Sequence, residues 1–150
     1  MLLGAASTPH VAFLGRIPGT RRYSDRDRHP ENETVPGVLI FRVESSILYF
    51  NADHVESTVL SRALDLEDTR LVIADLSNAP YVDVAGARML SHLHQKLAEQ
   101  GIAFRLTEAH ARVRDLLRAE GLEARIGHFG HETSVDQILD EFAQTHAQQA

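Results

Sequence analysis

The sequence predicts an α/β fold in which a mixed β-sheet is covered by amphipathic helices that belong to βαβ units. Short β-rich runs alternate with helical patterns of about 10 to 15 residues, and this alternation is typical of parallel strands joined by helical crossovers. Two β-rich runs, 38–43 and 46–50, have no helix between them, so the sheet is expected to be mixed. A hydrophobic fraction of 43% with 24% charged residues is ordinary for one globular domain.

The first third of the chain is predicted to contain strands and one long loop. Residues 10–14 form an apolar run that predicts a strand. Residues 18–37 hold three prolines and two glycines in a polar segment, which predicts a long loop that is partly disordered. The runs 38–43 and 46–50 are separated by two residues and predict paired or bent strands.

The middle of the chain has two amphipathic patterns on either side of a buried strand. Between Asp53 and Leu66, apolar residues recur three and four positions apart, which predicts a helix. The apolar run 71–76 predicts the strand. A second helix is expected to start at Asp83 and to end at Gly101, because glycine commonly follows the last helical turn.

The last third of the chain predicts one more strand and two more helices. Residues 102–106 form the strand, and a helix that carries Val113 follows it and ends at Gly121. Ser134 is a suitable N-cap for the final helix. That helix places four apolar residues on one face, namely Val135, Ile138, Leu139 and Phe142.

The junction between the 71–76 strand and the helix after it is the most informative segment for function. The first backbone N–H groups of a helix point outward without partners, and ligands of such sheets favour the carboxyl edge of the strands. Asp83 is expected to be an N-cap that accepts a hydrogen bond from the N–H of Ala85 or Gly86, and not a general base. The candidate interaction or ligand loop consists of Pro80, Tyr81, Asp83, Val84, Ala85 and Gly86.

Catalytic and metal-binding motifs are absent from the sequence. The chain has no cysteine, and its single lysine, Lys96, lies within a predicted helix, which excludes thiolate chemistry and a Walker-type phosphate loop. Neither a dinucleotide-binding glycine fingerprint nor a nucleophile elbow occurs. His92 and His94 point to different faces of one helix, and the pair His128 and His131 has no acidic partner at ligand spacing. We therefore expect no catalytic residue, no metal and no cofactor.

The formal net charge of −6 is distributed unevenly along the chain. Residues 1–30 carry five arginines and two aspartates, a net charge of +3, so the remaining 120 residues carry −9. An acidic body argues against nucleic-acid binding. The basic segment is either a solvated loop or a surface that faces anionic lipid or an acidic partner. The candidate membrane-proximal residues are Arg16, Arg21, Arg22, Arg26 and Arg28.

The segments that form the most specific pattern of the chain are Pro9–Thr20, Tyr23, His29–Glu31 and Pro36–Val43, followed by Leu48–Ala52, Asp75–Ser77 and Asp83–Gly86. In this order they resemble the STAS domains at the cytoplasmic C-terminus of SulP-type anion transporters. The resemblance covers nearly all of residues 9–142. Stand-alone STAS proteins do not usually carry the opening segment.

The resemblance implies a STAS-like fold and a non-enzymatic role in assembly, trafficking or gating of a transporter for sulfate, bicarbonate or a related anion. Residues 1–8 would be an artificial start or a linker from the membrane domain, residues 9–143 the STAS domain, and residues 144–150 a C-terminal tail. The domain would lie at the cytoplasmic face of the membrane. Its implied partners are the transmembrane domain of the same transporter, a cytosolic protein, and a nucleotide or anion.

The related anti-sigma-factor antagonists suggest an alternative function. In those proteins a serine directly after the loop aspartate is phosphorylated by a partner kinase, and the next position is commonly serine or threonine. Here the two positions are Val84 and Ala85, which have no hydroxyl, so we expect no phosphorylation switch. The alternatives are a stand-alone antagonist-like signalling protein and a module that senses a nucleotide or anion at the start of the helix.

Overall fold

The computed structural model describes residues 7–130 and 133–149. In that part of the chain five strands and five helices follow one another in the order β-β-β-α-β-α-β-α-α-α. The strands are β1 (Val11–Arg16), β2 (Tyr23–Asp25), β3 (Val38–Val43), β4 (Leu71–Asp75) and β5 (Ala103–Thr107). The helices are α1 (Ala52–Asp65), α2 (Val84–Glu99), α3 (Ala111–Ala119), α4 (Leu122–Ile126) and α5 (Val135–Gln149).

The sheet is mixed, as the sequence predicted. Its strand order is β2-β1-β3-β4-β5, and β3, β4 and β5 are parallel to one another. The strand β1 is antiparallel to both of its neighbours, β2 and β3. Helix α1 connects β3 to β4 and helix α2 connects β4 to β5, so the two parallel pairs form the expected βαβ units.

The two faces of the sheet are covered by different helices. Alternate residues of a strand point to opposite faces, and in β3 Phe41 joins the larger hydrophobic cluster whereas Ile40 joins the smaller one. Apolar residues of α1, α2, α3 and α4 complete the larger cluster. Of the helices in the described residues, α5 alone covers the opposite face, where Ile138 packs with Ile40 and Ile73.

Two expectations for the first third of the chain were wrong. The segment 18–37 is not a single long loop, because it contains the strand β2, and its Asn32 donates a hydrogen bond to the Ser24 hydroxyl at 2.7 Å. The run 46–50 is not a strand. Its only strand-like contact among the described residues is an isolated bridge between Ile47 and Val82.

The helices follow the predicted pattern, with one addition. Helices α1 and α2 begin and end within two residues of their predicted limits, and α3 ends two residues before Gly121. Helix α5 contains the four predicted apolar residues and extends to Gln149, into the segment expected to be a tail. The N-cap predicted for α5 is confirmed, because the Ser134 hydroxyl accepts a hydrogen bond from the backbone N–H of Gln137. The short helix α4, between Gly121 and Gly127, was not predicted. Of the proposed histidine pair, His131 lies outside the described residues.

Candidate functional site

The candidate site lies at the carboxyl edge of the parallel strands. Two segments leave this edge next to each other, 44–51 after β3 and 76–83 after β4, and we call them the edge loops. The predicted loop, Pro80 to Gly86, is formed by the second edge loop and the first turn of α2. Its position at the strands' carboxyl edge therefore agrees with the sequence analysis.

Backbone hydrogen bonds join the two edge loops. The N–H of Ile47 donates to the carbonyl of Tyr81 at 3.0 Å, and the N–H of Asp83 donates to the carbonyl of Ile47 at 3.2 Å. The Ile47 side chain is fully buried beneath them. The Ser46 hydroxyl also accepts from the N–H of Tyr81 at 3.2 Å. These bonds fix the position of the second loop relative to the first.

Asp83 holds the junction together through both of its carboxylate oxygens. Oδ1 accepts a hydrogen bond from the N–H of Gly86 at 2.8 Å, which confirms the predicted N-cap of α2. Oδ2 accepts from the N–H of Tyr49 at 2.8 Å, a contact that sequence reasoning missed. The carboxylate is therefore committed to two backbone donors on different loops.

Gly86 is required by the close approach of α2 to the first edge loop. A Cβ atom at this position would lie 2.5 Å from the carbonyl oxygen of Ile47 and 2.9 Å from a methyl group of Val82. Real Cβ atoms do not approach backbone oxygens so closely. The glycine therefore allows the start of α2 to pack directly on the backbone of the first loop.

Four large apolar side chains are exposed around this junction. The exposed fractions are 76% for Tyr49, 55% for Tyr81, 41% for Val84 and 36% for Phe50. The rings of Tyr49 and Phe50 meet edge to face, with centroids 5.3 Å apart. We call these four residues the aromatic patch. Such exposed apolar groups are typical of surfaces that contact another molecule.

The sequence analysis identified two of the four residues of the aromatic patch. Tyr81 and Val84 were in the predicted loop, whereas Tyr49 and Phe50 were assigned to a strand. Asn51 is the signal that could have corrected the assignment, because asparagine favours turns and caps. Its side chain donates to the carbonyl of Ser46 at 2.9 Å and accepts from the N–H of Leu48 at 2.9 Å, which turns the chain into α1.

The charge around the patch is negative. The two edge loops contain Glu44 and Asp83 but no lysine or arginine. Glu44 accepts hydrogen bonds from Arg42 and from Asn78, each at 2.6 Å. Because the Asp83 carboxylate occupies the start of α2, a second anion there would face like-charge repulsion. The site is thus better suited to a neutral or cationic apolar partner.

The two positions compared above with the antagonists' phosphorylated serine and the residue after it have no hydroxyl group here. Val84 is exposed and Ala85 is partly exposed, but neither side chain has a hydroxyl. The nearby hydroxyl group of Ser46 is buried. Among the described residues, no cluster of three or more histidine or acidic side chains has the geometry to hold a metal ion.

The five candidate arginines of the N-terminal segment have different environments. Arg16 pairs with Asp136 at 2.8 Å and donates a hydrogen bond to the Tyr23 hydroxyl at 3.0 Å. The bond to Tyr23 is the main reason why the pKa of Arg16 is raised. Burial, and then the hydrogen bond that Tyr23 donates to Asp136, raises the pKa of Tyr23. This network ties β1 and β2 to α5.

The other four arginines remain available at the surface. Arg21, Arg22 and Arg28 are exposed and Arg26 is partly exposed. Within the described part of the chain none of the four has an ion-pair partner. Arg21 and Arg22 border an open groove with Asp75, Glu108 and Asp136, so they do not form a purely basic surface.

Known proteins with a similar sequence or fold point to one family. The family model described as "STAS domain" matches residues 29–137, which is more than half of the chain. The chain is 27% identical over 135 residues to "High affinity sulfate transporter 2" of Stylosanthes hamata, and the match covers 84% of this chain and 20% of that protein. The chain therefore spans about a fifth of the length of this relative.

Solved structures with the same fold include an anion transporter and a putative anti-sigma factor antagonist. The mouse solute carrier 26 family member A9 anion transporter, in its inward-facing state, matches with a TM-score of 0.77 and 21% identity, over 91% of this chain and 22% of that chain. A putative anti-sigma factor antagonist of Thermotoga maritima matches with a TM-score of 0.62 and 17% identity, over 73% of this chain and 90% of that chain. Among the described residues no helix has the length and apolar character needed to cross a bilayer.

Proposed function

The chain belongs to the STAS domain family, and on this basis we propose that it is the cytosolic regulatory domain of a SulP-type secondary anion transporter. The transported ion would be sulfate, bicarbonate or a related anion. The domain would act in assembly, trafficking or gating and would catalyse no reaction. The observation that carries the proposal is the similarity to sulfate transporters over 84% of this chain. The aromatic patch, which the edge loops hold in a fixed position at the surface, is the surface proposed to contact the partner.

The direction of β1 supports the transmembrane domain of the same protein as the partner. The N–H of Glu44 donates to the carbonyl of His10 at 3.0 Å, so β1 starts beside the first edge loop. In a transporter whose membrane domain precedes this domain, the connecting chain would enter at the same edge as the aromatic patch. A surface of that domain, or a cytosolic protein bound next to it, would cover the patch.

The patch can be tested in the full-length protein by combining Tyr49→Ser with Tyr81→Ser. A matched control combines Leu64→Ser with Leu66→Ser, since these two leucines are also exposed but lie at the end of α1. We expect sulfate uptake, or the amount of protein that reaches the membrane, to fall only in the tyrosine variant. Equal behaviour of the two variants would remove the patch from the proposal.

A free anti-sigma-factor antagonist is the second candidate, because the fold of such proteins is similar. The absence of a hydroxyl at Val84 and Ala85 argues against it, since the switch of those proteins depends on a new phosphate charge. The third candidate is a sensor that binds a nucleotide or anion at the start of α2. Calorimetric titration of the domain with GTP, ATP and sulfate tests the sensor, and the absence of heat from all three would eliminate it.

A further inference from the structure

The face of the sheet that α5 covers is only partly protected. Neighbouring strands lie about 4.8 Å apart and a helix with its side chains is about 10 Å wide, so one helix covers roughly two strands. Among the described residues one helix lies on this face of a five-stranded sheet. On the β1 side of α5, Tyr23 and Val38 pack against the smaller hydrophobic cluster, and the cavity there is only about 60 Å³. In the described part of the chain the β5 side has no comparable cover.

The uncovered region beside β5 forms a cleft of about 430 Å³ at the amino end of β4 and β5. This volume is at the lower end of the range of roughly 300–1,000 Å³ that small-molecule pockets occupy. The walls are Arg70 and Leu71 of the β4 start, Ala103 and Arg105 of β5, and Ile138 and Phe142 of α5. The cleft is far from the edge loops, at the opposite end of the same strands.

The lining combines an apolar floor with two arginines and one carboxylate, Glu141. Leu71 and Ile138 are buried and belong to the smaller hydrophobic cluster, against which Phe142 also packs. Arg70 is exposed, and within the described residues its guanidinium has no ion-pair partner. A lining with one apolar side and one cationic side matches a ligand that has an apolar body and a negative head.

Arg105 has hydrogen-bonding capacity that the described residues do not use. Its Nη1 donates to Glu141 at 2.9 Å, but the Glu141 side chain is 52% exposed, and exposed ion pairs are weak. Its Nε is buried and has no hydrogen-bond partner among the described residues. This Nε lies beside Gly127, where a Cβ atom would be 3.7 Å away, and is closed off from the cleft. The Arg105 side chain as a whole is 24% exposed, so a carboxylate in the cleft reaches its Nη groups.

We propose that this cleft binds a small amphipathic carboxylate. The apolar body lies on Leu71, Ile138 and Phe142, and the carboxylate displaces Glu141 from Arg105 and lies near Arg70. The proposal does not depend on the role of the aromatic patch, because the two surfaces share no residue. It places a ligand in a part of the domain that is separate from the start of α2.

The test is calorimetric titration of the 150-residue chain with decanoate. Three comparison ligands separate the contribution of the negative charge from that of the apolar body. Decanol lacks the charge, decyltrimethylammonium reverses it, and sulfate lacks the apolar body. We expect saturable 1:1 binding of decanoate and at least tenfold weaker binding of all three others. Titration with 4-phenylbutyrate decides between an aliphatic and an aromatic body, and saturable binding of either carboxylate supports the proposal.

Two variants place the ligand in the cleft. Arg105→Gln is expected to weaken decanoate binding about tenfold, the effect of losing a charged hydrogen-bond donor. Ala103→Leu is expected to abolish binding, because the larger side chain fills the cleft. Arg112→Gln, at an exposed arginine of α3, serves as the control and should bind like the parent chain. Circular dichroism establishes that each variant is folded, and Arg70→Gln replaces Ala103→Leu if that variant does not fold.

Three results would overturn the proposal. The first is no saturable binding of either carboxylate. The second is equal affinity for decanoate and decanol, which would indicate apolar adsorption, or equal affinity for decanoate and sulfate, which would indicate a simple anion site. The third is a decanoate affinity that neither Arg105→Gln nor the second cleft variant changes.

Discussion

Gly86 provides a test of the close contact between α2 and the first edge loop. In an ordinary exposed helix, replacing glycine by alanine stabilises the helix by up to about 1 kcal/mol. Here the added Cβ would lie 2.5 Å from the Ile47 carbonyl oxygen, and such overpacking costs about 1–3 kcal/mol. We therefore expect Gly86→Ala to lower the free energy of unfolding, measured by urea denaturation. Gln95→Ala, at an exposed position of the same helix, is the control, and a stabilised Gly86 variant would contradict the contact.

Asp83 stabilises the junction through two backbone donors. Removing a helix cap costs typically about 1 kcal/mol, and loss of the bond to the Tyr49 N–H adds to this, so we expect Asp83→Ala to cost about 1–2 kcal/mol. Asp83→Ser keeps a capping oxygen and should lose less. Thermal unfolding monitored by circular dichroism measures both. Asp140→Ala, on an exposed face of α5, is the control, and an unchanged melting temperature for Asp83→Ala would refute the capping role.

Asp25 makes the stability of the β1–β2 hairpin depend on pH. Burial alone would raise the pKa of this carboxyl, but the hydrogen bond from His10 at 2.9 Å and the N–H of Asp27 outweigh it, so the pKa lies below its ordinary value of 3.8. Between the lowered and the ordinary pKa the unfolded chain binds more protons, so stability rises with pH there. The contribution is complete above the ordinary pKa and is lost as pH falls through the folded pKa.

The variant Asp25→Asn tests this pH dependence. We expect the difference in unfolding free energy between the parent chain and the variant to be constant near neutral pH and to shrink as the pH falls below about 4. Urea titrations at several pH values measure the difference. Asp65→Asn, at the exposed end of α1, is the control. A difference in unfolding free energy that grows toward low pH would mean that folding raises the pKa of Asp25 and does not lower it.

At the scale of elements, Asn51 determines how the first edge loop enters α1. The side chain is buried and bridges the carbonyl of Ser46 and the N–H of Leu48, so its removal leaves backbone groups unpaired at a cost of about 1–3 kcal/mol. We expect Asn51→Ala to increase hydrogen exchange of the amides in 46–51. Asn78→Ala, in the second edge loop, removes an exposed amide and should leave these amides protected. Equal exchange in both variants would count against the role of Asn51.

The longer elements could be predicted from sequence because their burial is periodic. In α2, Leu90, Leu93 and Leu97 are all fully buried, and this spacing is visible without a structure. Helix α4 has five residues, fewer than two turns, so no period can be recognised. The three-residue strand β2 is equally short. Its place depends on pairing with β1, a tertiary contact that local sequence does not encode.

Only those features of the candidate site that depend on residues close together in the sequence could be predicted. The Asp83 cap follows from residues three positions apart, and it was predicted. Tyr49 and Phe50 have high β propensity, but propensity measures the fit to a half-buried pleated surface and not the backbone path. The Ile47–Val82 bridge and the Asp83–Tyr49 bond decide that path, and both join residues more than thirty positions apart.

At the scale of the whole molecule, the basic N-terminal segment should bring the domain to anionic membranes. Near anionic lipid each arginine contributes about 1 kcal/mol, so replacing Arg21, Arg22, Arg26 and Arg28 by glutamine should weaken binding to phosphatidylserine vesicles by about tenfold or more. Co-sedimentation at low salt measures the change. The matched control replaces four exposed arginines of α2–α4: Arg88, Arg112, Arg118 and Arg125. Equal losses in the two variants would mean that net charge, and not this segment, attracts the lipid.

We infer that this STAS domain works as part of a membrane transporter. An immunoblot of membrane and soluble fractions of the native cell, with an antiserum raised against the domain, tests this inference. We expect a band in the membrane fraction at a mass far above the 16.7 kDa of this chain. A band in the soluble fraction near 16.7 kDa would contradict it and would favour the signalling antagonist.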